Sequence, residues 1–222
     1  VFDETIETIN TFLNFSSTKT LTMIWVFNCP DNACFDAQAR TIRAMSHFLS
    51  SLNARAFDGG GGIFLSQVRE QLNVVIVDRC SEGHEIPAKQ GVGLARKLGL
   101  DLGLKLIQKQ SQELARCVSW MHSCDADVCL PPDYFDIAEP GKGDVVALYP
   151  FRHIAEPGFE SAMALYDFSL RYYVAQLAFA HSPYAFHTIG SLIAVTPLAY
   201  VQVRGIPKRS GAEDFYFLNK LA

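Results

Sequence analysis

Short apolar runs that alternate with helical stretches constrain the fold of this chain more than any other feature. Each run has the length of one strand, and turn-forming or polar residues end it. Strands that alternate with helices in this way are typical of an α/β domain with a mostly parallel sheet. The four runs are Leu21–Phe27, Val74–Val77, Cys117–Met121 and Val145–Tyr149.

Segments with helical spacing lie between and after these runs. In the third of them, Asp167 and Arg171 are spaced to form an ion pair on the exposed side. The last begins with Glu213 and Asp214 in its first turn, where a helix favours acidic residues. Residues 190–203, in contrast, have the pattern of an extended chain. The predicted helices are about 33–55, 90–107, 159–181 and 212–222.

The composition argues against several classes of protein. The net charge is −4 over 222 residues, so the chain lacks the basic excess that non-specific nucleic-acid binding needs. No apolar run reaches the roughly 18 residues of a membrane-spanning helix. The chain starts at Val1 without a signal-peptide pattern, and its last helix lacks a cap. We therefore expect the natural chain to be longer.

The six cysteines do not have the spacing of a disulfide framework. They lie in the predicted core strands and at their ends, which is typical of reduced thiols in a cytosolic protein. We therefore expect a cytoplasmic protein whose contact with a membrane is at most peripheral. A zinc site is the alternative, although four residues separate the members of each cysteine pair. Those pairs are Cys29/Cys34 and Cys124/Cys129.

Polar residues follow three of the predicted strands. Asn28 and Asp31 follow the first, Asp78 follows the second, and Asp125 and Asp127 follow the third. In an open α/β sheet, the ligand binds beyond the carboxyl ends of the strands. The sequence therefore predicts that these side chains lie along one edge of the sheet, although they are far apart in the chain.

The Asp-Ala-Asp motif, from Asp125 to Asp127, is the strongest candidate for a metal site. Two carboxylates at the end of a hydrophobic strand repel each other unless a cation or water neutralises them. In an extended motif both side chains point the same way, and Mg2+ or Mn2+ held there would bind phosphate oxygens. The alternative is a solvated acidic loop.

Each of the other candidates also has a structural alternative. Asp78 is placed to accept a hydrogen bond from a nucleotide, or it makes an Asx-turn. Arg96, on the helix after the second strand, is placed to balance a diphosphate, or it is an ordinary surface arginine. Glu213 and Asp214 supply a general base, or they only favour a helix N-terminus.

The order of these motifs resembles the family 2 glycosyltransferases of the GT-A fold. VVIVDRCSE is similar to the second strand of that family and its nucleotide-binding aspartate, and GVGLARKLGLDLG is similar to the helix with its Ala-Arg-Asn signature. SCDADVCLPPDYF matches the metal-binding D-x-D and its proline-aromatic continuation. AEDFYFLNKLA matches the Glu-Asp motif whose aspartate is the base. The resemblance covers about Thr20 to Ala222.

This resemblance implies a glycosyltransferase that moves one sugar from a nucleotide-diphosphate sugar to a saccharide or other hydroxyl acceptor, with inversion. We find no Gln/Arg-x-x-Arg-Trp element of the processive synthases, so transfer of single sugars is expected. The implied fold is a single GT-A domain over residues 1–222, with a mixed, mostly parallel sheet flanked by helices. Its nucleotide-sugar half would cover about 20–130 and its acceptor half about 131–222.

The resemblance also implies a role for each candidate residue. Asp214 would be the catalytic base, and Glu213 would orient the loop or contact the acceptor. Asp125 and Asp127 would hold Mn2+ or Mg2+ as the cofactor. The residues expected to bind the nucleotide sugar are Asn28, Asp78, Arg96, Asp125, Gly190 and Ser191.

Other functions fit part of the pattern. A haloacid-dehalogenase-like phosphatase also places D-x-D after a strand, with the first aspartate as nucleophile, but that motif belongs early in the chain. A nucleotide-sugar-binding module without catalysis would keep the binding residues and show no turnover. A nucleotidyltransferase needs a Gly-rich loop with Arg and Lys after the first strand, and NCPDNA has neither.

Overall fold

The computed structural model describes residues 20–57, 60–110, 119–131 and 133–222. In this part of the chain, strands and helices form a mixed α/β structure. The strands are β1 (Leu21–Asn28), β2 (Arg55–Ala56), β3 (Ile63–Arg69), β4 (Leu72–Arg79), β5 (Met121–Ser123), β6 (Val146–Leu148) and β7 (Ile193–Val195). The helices are α1 (Phe35–Ser51), α2 (Gly91–Gln110), α3 (Glu160–Phe179), α4 (Pro197–Gln202) and α5 (Glu213–Leu218).

One sheet has the strand order β1-β4-β3-β2. β1 and β4 are parallel, with Leu21 opposite Leu72, whereas β3 is antiparallel to both β4 and β2. The prediction of a mostly parallel sheet is therefore wrong. The reason is β3, which the apolar pattern did not predict. Only Glu70 and Gln71 separate β3 from β4, and so short a connection joins antiparallel strands.

The other three strands form a second sheet in the order β5-β7-β6, and both pairings are antiparallel. Ile193 of β7 lies opposite Ser123 of β5 and Leu148 of β6. The strand that leads into the D-x-D motif thus pairs with a strand from the later part of the chain. This pairing brings the segment before β7, with Gly190 and Ser191, next to the D-x-D motif.

Helices cover both faces of β1. On one face, α1 packs against it in the main hydrophobic core. On the other face, a Cβ atom at Gly99 of α2 would lie 3.5 Å from Val26, and one at Gly103 would lie 3.5 Å from Ile24. α2 therefore runs antiparallel to β1, and its first turn lies at the carboxyl end of β1, where a ligand site is expected.

The four predicted helices are confirmed, as α1, α2, α3 and α5. In α3, Nη1 of Arg171 lies 3.6 Å from Oδ1 of Asp167, as expected. The prediction of an extended chain over residues 190–203 is wrong after β7, because α4 begins there. Thr196 caps α4 by accepting from the N–H of Ala199, and Pro197 occupies its first turn.

The third apolar run is only partly within the described residues. The strand lies at Met121–Ser123, slightly later than predicted, and Cys117 and Val118 fall outside the description. None of the described helices has the length and apolar character needed to cross a lipid bilayer.

Candidate functional site

Arg96 lies at the centre of a polar cluster near the first turn of α2. Its Nη2 lies 2.5 Å from Oδ1 of Asp125, and its Nη1 donates to the carbonyl of Gly190 and, at 3.4 Å, to Oγ of Ser123. Its Nε lies 3.1 Å from Oε1 of Glu213, an ion-pair distance without an aligned hydrogen bond. Because only 10% of the Arg96 side chain is exposed, it is not an ordinary surface arginine. We call these five residues the Arg96 cluster.

The D-x-D loop is held in place by Ser191. Asp125 directly follows β5, and its N–H donates to Oγ of Ser191 at 2.9 Å. Ser191 is buried. Ala126 and Asp127 form a turn, so the motif is not extended, and strand alternation does not determine where its two carboxylates point. Asp127 is exposed, whereas Asp125 is partly buried.

Several carboxylates near this loop act on Asp125 or share its arginine. Burial raises the pKa of Asp125, Arg96 opposes that rise, and the charges of Asp127 and Asp214 raise the pKa further. Asp127 and Asp214 therefore lie close enough to Asp125 to affect it. Neither of them forms an ion pair within the described part of the chain, and Arg96 is shared by Asp125 and Glu213. A divalent cation bound at this loop would oppose the repulsion between these carboxylates.

Gly190 and Glu213 form the closely packed side of the cluster. A Cβ atom at position 190 would lie 2.8 Å from Nη2 of Arg96 and 3.4 Å from Oε1 of Glu213, so a larger residue there would displace the guanidinium. Glu213 is 4% exposed. Because its carboxylate faces Arg96, it is placed to hold that side chain rather than to meet an acceptor molecule.

Two glycines at the start of α2 allow α5 to reach Arg96. The N–H of Gly93 donates to the carbonyl of Arg209 at 2.9 Å, and a Cβ atom on Gly93 would lie 2.4 Å from the carbonyl oxygen of Pro207. At Gly91, a Cβ atom would lie 2.8 Å from Cα of Ser210. The segment before α5 therefore packs directly on the backbone of α2, which only glycine permits.

Asp214 lies in the first turn of α5 and is partly exposed. Its Oδ1 accepts from the N–H of Phe215 at 2.8 Å. Since its charge affects the pKa of Asp125, the predicted base and the predicted metal ligands lie near one another. Asp214 has the solvent access that Glu213 lacks.

Asp78 lies at the end of β4, and both oxygens of its carboxylate have hydrogen-bonding partners in the loop that follows. Its Oδ1 accepts from the N–H groups of Cys80 and Ser81, both at 2.9 Å, and its Oδ2 lies 3.2 Å from Nδ1 of His84. Burial raises the pKa of Asp78, but the hydrogen bonds from Cys80 and Ser81 outweigh burial and lower it to about 2. The side chain thus makes the Asx-turn that was its structural alternative, and its contact with a nucleotide stays a prediction.

The loop after β1 meets the loop after β4 beside Asp78. Pro30 and Ile86 form a parallel bridge, and Oδ1 of Asp31 accepts from the N–H of Ala88 at 3.0 Å. Asn28 is exposed at the end of β1, and its Nδ2 donates to the carbonyl of Val26 at 3.5 Å. Within the described residues, the hydrogen bonds of Asn28 and Asp78 go to partners outside the Arg96 cluster.

The D-x-D loop offers two carboxylates, Asp125 and Asp127. Mg2+ that is bound together with a phosphate uses one or two carboxylates and takes its other ligands from water and substrate, so the number of carboxylates is compatible with such a site. In the described ranges no group of three or more His, Cys, Asp or Glu is arranged to hold a metal, and the five cysteines there are free. The zinc alternative, which needs a closed set of four ligands, has no support in these ranges.

Ser123 and Gly93 are the site residues that motif reasoning did not single out. Ser123 is the last residue of β5, and its Oγ accepts a hydrogen bond from Nη1 of Arg96 at 3.4 Å. A serine just before D-x-D carries no distinctive signal. Gly93 belongs to a Gly-x-Gly pattern that does not fit a dinucleotide fingerprint, and the close approach of Pro207 and Arg209 explains it.

Comparison of the chain with protein-family models, with curated proteins and with solved structures finds no match. Any function must therefore be argued from the motifs and from the geometry of the Arg96 cluster.

Proposed function

We propose that this chain is a metal-dependent glycosyltransferase with a GT-A fold, which moves a single sugar from a nucleotide-diphosphate sugar to an acceptor hydroxyl. The observation that carries the proposal is the Arg96 cluster. One buried guanidinium contacts Asp125, Gly190 and Glu213. Each belongs to a different motif of the resemblance, and no single helix or strand would bring them together.

The donor diphosphate is proposed to lie over the D-x-D loop. Asp125 and Asp127 would hold Mn2+ or Mg2+, which supplies positive charge to the diphosphate leaving group when bound. Arg96 fixes the carboxylate of Asp125, and Ser191 fixes its backbone. Asn28 and Asp78 are proposed for the nucleoside, since they end the parallel strands β1 and β4 at one edge of the sheet.

Asp214 is proposed as the general base. As it takes the proton of the acceptor hydroxyl, the acceptor oxygen forms a bond to the anomeric carbon of the sugar. The bond from that carbon to the diphosphate oxygen breaks, and the nucleoside diphosphate leaves with the electron pair. A single displacement of this kind inverts the configuration. Glu213 positions Arg96 and takes no proton.

The test compares Asp214→Asn with Asp36→Asn, since Asp36 is also an acid in the first turn of a helix. Donors are first selected from UDP-, GDP-, dTDP- and CMP-sugars by binding, and acceptors by turnover. A base contributes about 10²–10⁴-fold to the rate, so Asp214→Asn should lose turnover by that factor and keep its donor affinity and melting temperature. Asp36→Asn should keep all three.

Two outcomes would count against this proposal. Near-parental turnover in Asp214→Asn would remove Asp214 from the reaction. A parent protein that binds a nucleotide sugar tightly but turns over none of the acceptors tried would favour the non-catalytic binding module.

A further inference from the structure

The outward face of α3 is apolar and exposed. None of the residues of α3 is buried, and within the described part of the chain only one stripe of the helix is partly covered. That stripe consists of Met163, Asp167, Leu170, Val174 and Leu177. On the opposite face, Leu165 is 69%, Phe168 62%, Tyr172 55% and Phe179 85% exposed. A surface helix normally turns polar residues outward, and a large exposed apolar patch marks an interaction surface.

The spacing along this face is that of a helix–helix seam. Its residues alternate at intervals of four and three positions, which is the heptad pattern of a coiled coil. A helix that lies on a membrane carries Lys and Arg along its polar face, whereas Arg171 is the only basic residue of α3. The pattern therefore favours another helix over a lipid surface. The seam consists of Ser161, Leu165, Phe168, Tyr172, Ala175 and Phe179.

We propose that α3 pairs with α3 of a second copy of this chain, in antiparallel orientation. With a twofold axis near Leu170, Phe168 of one copy meets Tyr172 of the other. In the next layers Leu165 meets Ala175, and Phe179 meets Ser161. Every layer thus pairs two aromatic rings or one large with one small side chain, as close packing requires.

The parallel arrangement would pack poorly. Each seam residue would then meet its own equivalent, so that Ala175 and Ser161 would leave gaps while Phe168 and Phe179 would crowd. The size pattern of the seam is self-complementary only when the helices run in opposite directions. This self-complementarity is what identifies a second copy as the partner, since a twofold contact uses the same surface on both subunits.

The large seam residues supply most of the area that a homodimer interface needs. With about 200 Å² for a complete aromatic side chain, Leu165, Phe168, Tyr172 and Phe179 present roughly 500 Å². A standard interface buries about 800 Å² on each partner. The remainder would come from the exposed residues at the helix positions on either side of the seam, which are Ala164, Ser169, Arg171, Gln176 and Ala178.

Sedimentation velocity over a range of protein concentrations tests the pairing. The parent should dimerise as concentration rises, and Phe168→Asp should weaken the dimer roughly 30-fold or more, the scale of a buried aromatic hot spot. Phe35→Asp is the matched control, because Phe35 is 82% exposed on α1, and it should dimerise like the parent. Circular dichroism of each variant verifies that it is folded.

Cysteine cross-linking tests the direction, in a background with Cys34→Ser and Cys129→Ser. A mixture of Leu165→Cys and Ala175→Cys chains should form a mixed disulfide, and Leu165→Cys alone should not. A parent that stays monomeric, or a dimer that Phe168→Asp does not weaken, would overturn the proposal. So would cross-linking of Leu165→Cys with itself. Binding of a monomeric parent to lipid vesicles, lost in Phe168→Asp, would assign the face to a membrane instead.

Discussion

Asp78 and Asp125 are both carboxylates at the end of a strand, but they obtain their partners in opposite ways. The partners of Asp78 lie two to six residues further along its own loop. Asp125 depends on Arg96, 29 residues away, and on Ser191, 66 residues away. The Asp78 side chain is 7% exposed, whereas the Asp125 side chain is 42% exposed.

This difference separates a carboxylate whose charge its own loop stabilises from one whose charge neighbouring acids destabilise. The hydrogen bonds of Asp78 stabilise its charge and lower its pKa to about 2. At Asp125, burial and then the acids Asp127 and Asp214 raise the pKa, against the effect of Arg96. A divalent cation would relieve the repulsion at Asp125, and it has no comparable role at Asp78.

The largest effect on stability is expected from removing the guanidinium of Arg96, which pairs with both Asp125 and Glu213. Arg96→Leu leaves the buried Glu213 carboxylate without its partner, and breaking a buried pair in this way costs about 3–5 kcal/mol of unfolding free energy. Urea denaturation of the variant measures it. Arg40→Leu, at an exposed position on α1, should cost far less.

A double variant sharpens this test. Arg96→Leu combined with Glu213→Leu removes the unpaired charge, so it should recover part of the lost stability. If the double variant loses as much unfolding free energy as the two single variants lose together, or more, the two side chains are not coupled as an ion pair.

A smaller effect, with a characteristic pH dependence, is expected at Asp78. Asp78→Ala leaves the Cys80 and Ser81 N–H groups without their acceptor and should lower the unfolding free energy at neutral pH by about 1–3 kcal/mol. The pKa of Asp78 is lowered from 3.8 to about 2 in the folded protein. Its contribution is therefore fully present above about pH 4 and is lost as the pH falls toward 2.

The parent should thus lose more stability between pH 4 and pH 2 than Asp78→Ala does. Asp136→Ala, at an exposed position, should follow the parent profile. Parallel acid profiles for the parent and Asp78→Ala would mean that the Asx-turn does not stabilise the fold.

The same contrast explains which features could be predicted from sequence. Helices α1, α2, α3 and α5 and strands β1 and β4 have strong local patterns, and the Asx-turn at Asp78 depends on nearby residues. The direction of β3 depends on a two-residue connection, and α4 begins within an apolar run because Thr196 and Pro197 favour a helix start. Both features were missed because each depends on only two residues, whereas the predictions relied on longer apolar patterns.

The Arg96 cluster could be predicted only as a set of separate candidates. Asp125, Gly190 and Glu213 were named from motifs, but their contacts with one guanidinium follow from the pairing of β5 with β7 and from the packing of residues 207–210 on α2. Both are long-range contacts. No local pattern indicates that Glu213 is buried and Asp214 is not.

Nucleotide binding with and without Mn2+ is the most direct measurement of whether the D-x-D loop is a metal-dependent diphosphate site. Calorimetry with UDP, GDP and dTDP selects the nucleotide, with CMP as a monophosphate for comparison, and Asp127→Asn is then compared with Asp136→Asn. We expect the parent and Asp136→Asn to bind one nucleoside diphosphate only when Mn2+ is present, and to be stabilised by about 2.7 kcal/mol at a free ligand concentration of 100 times Kd. We expect Asp127→Asn to lose this binding while it remains folded. Equal Mn2+-dependent binding by Asp127→Asn and the parent would contradict the assignment of the D-x-D loop.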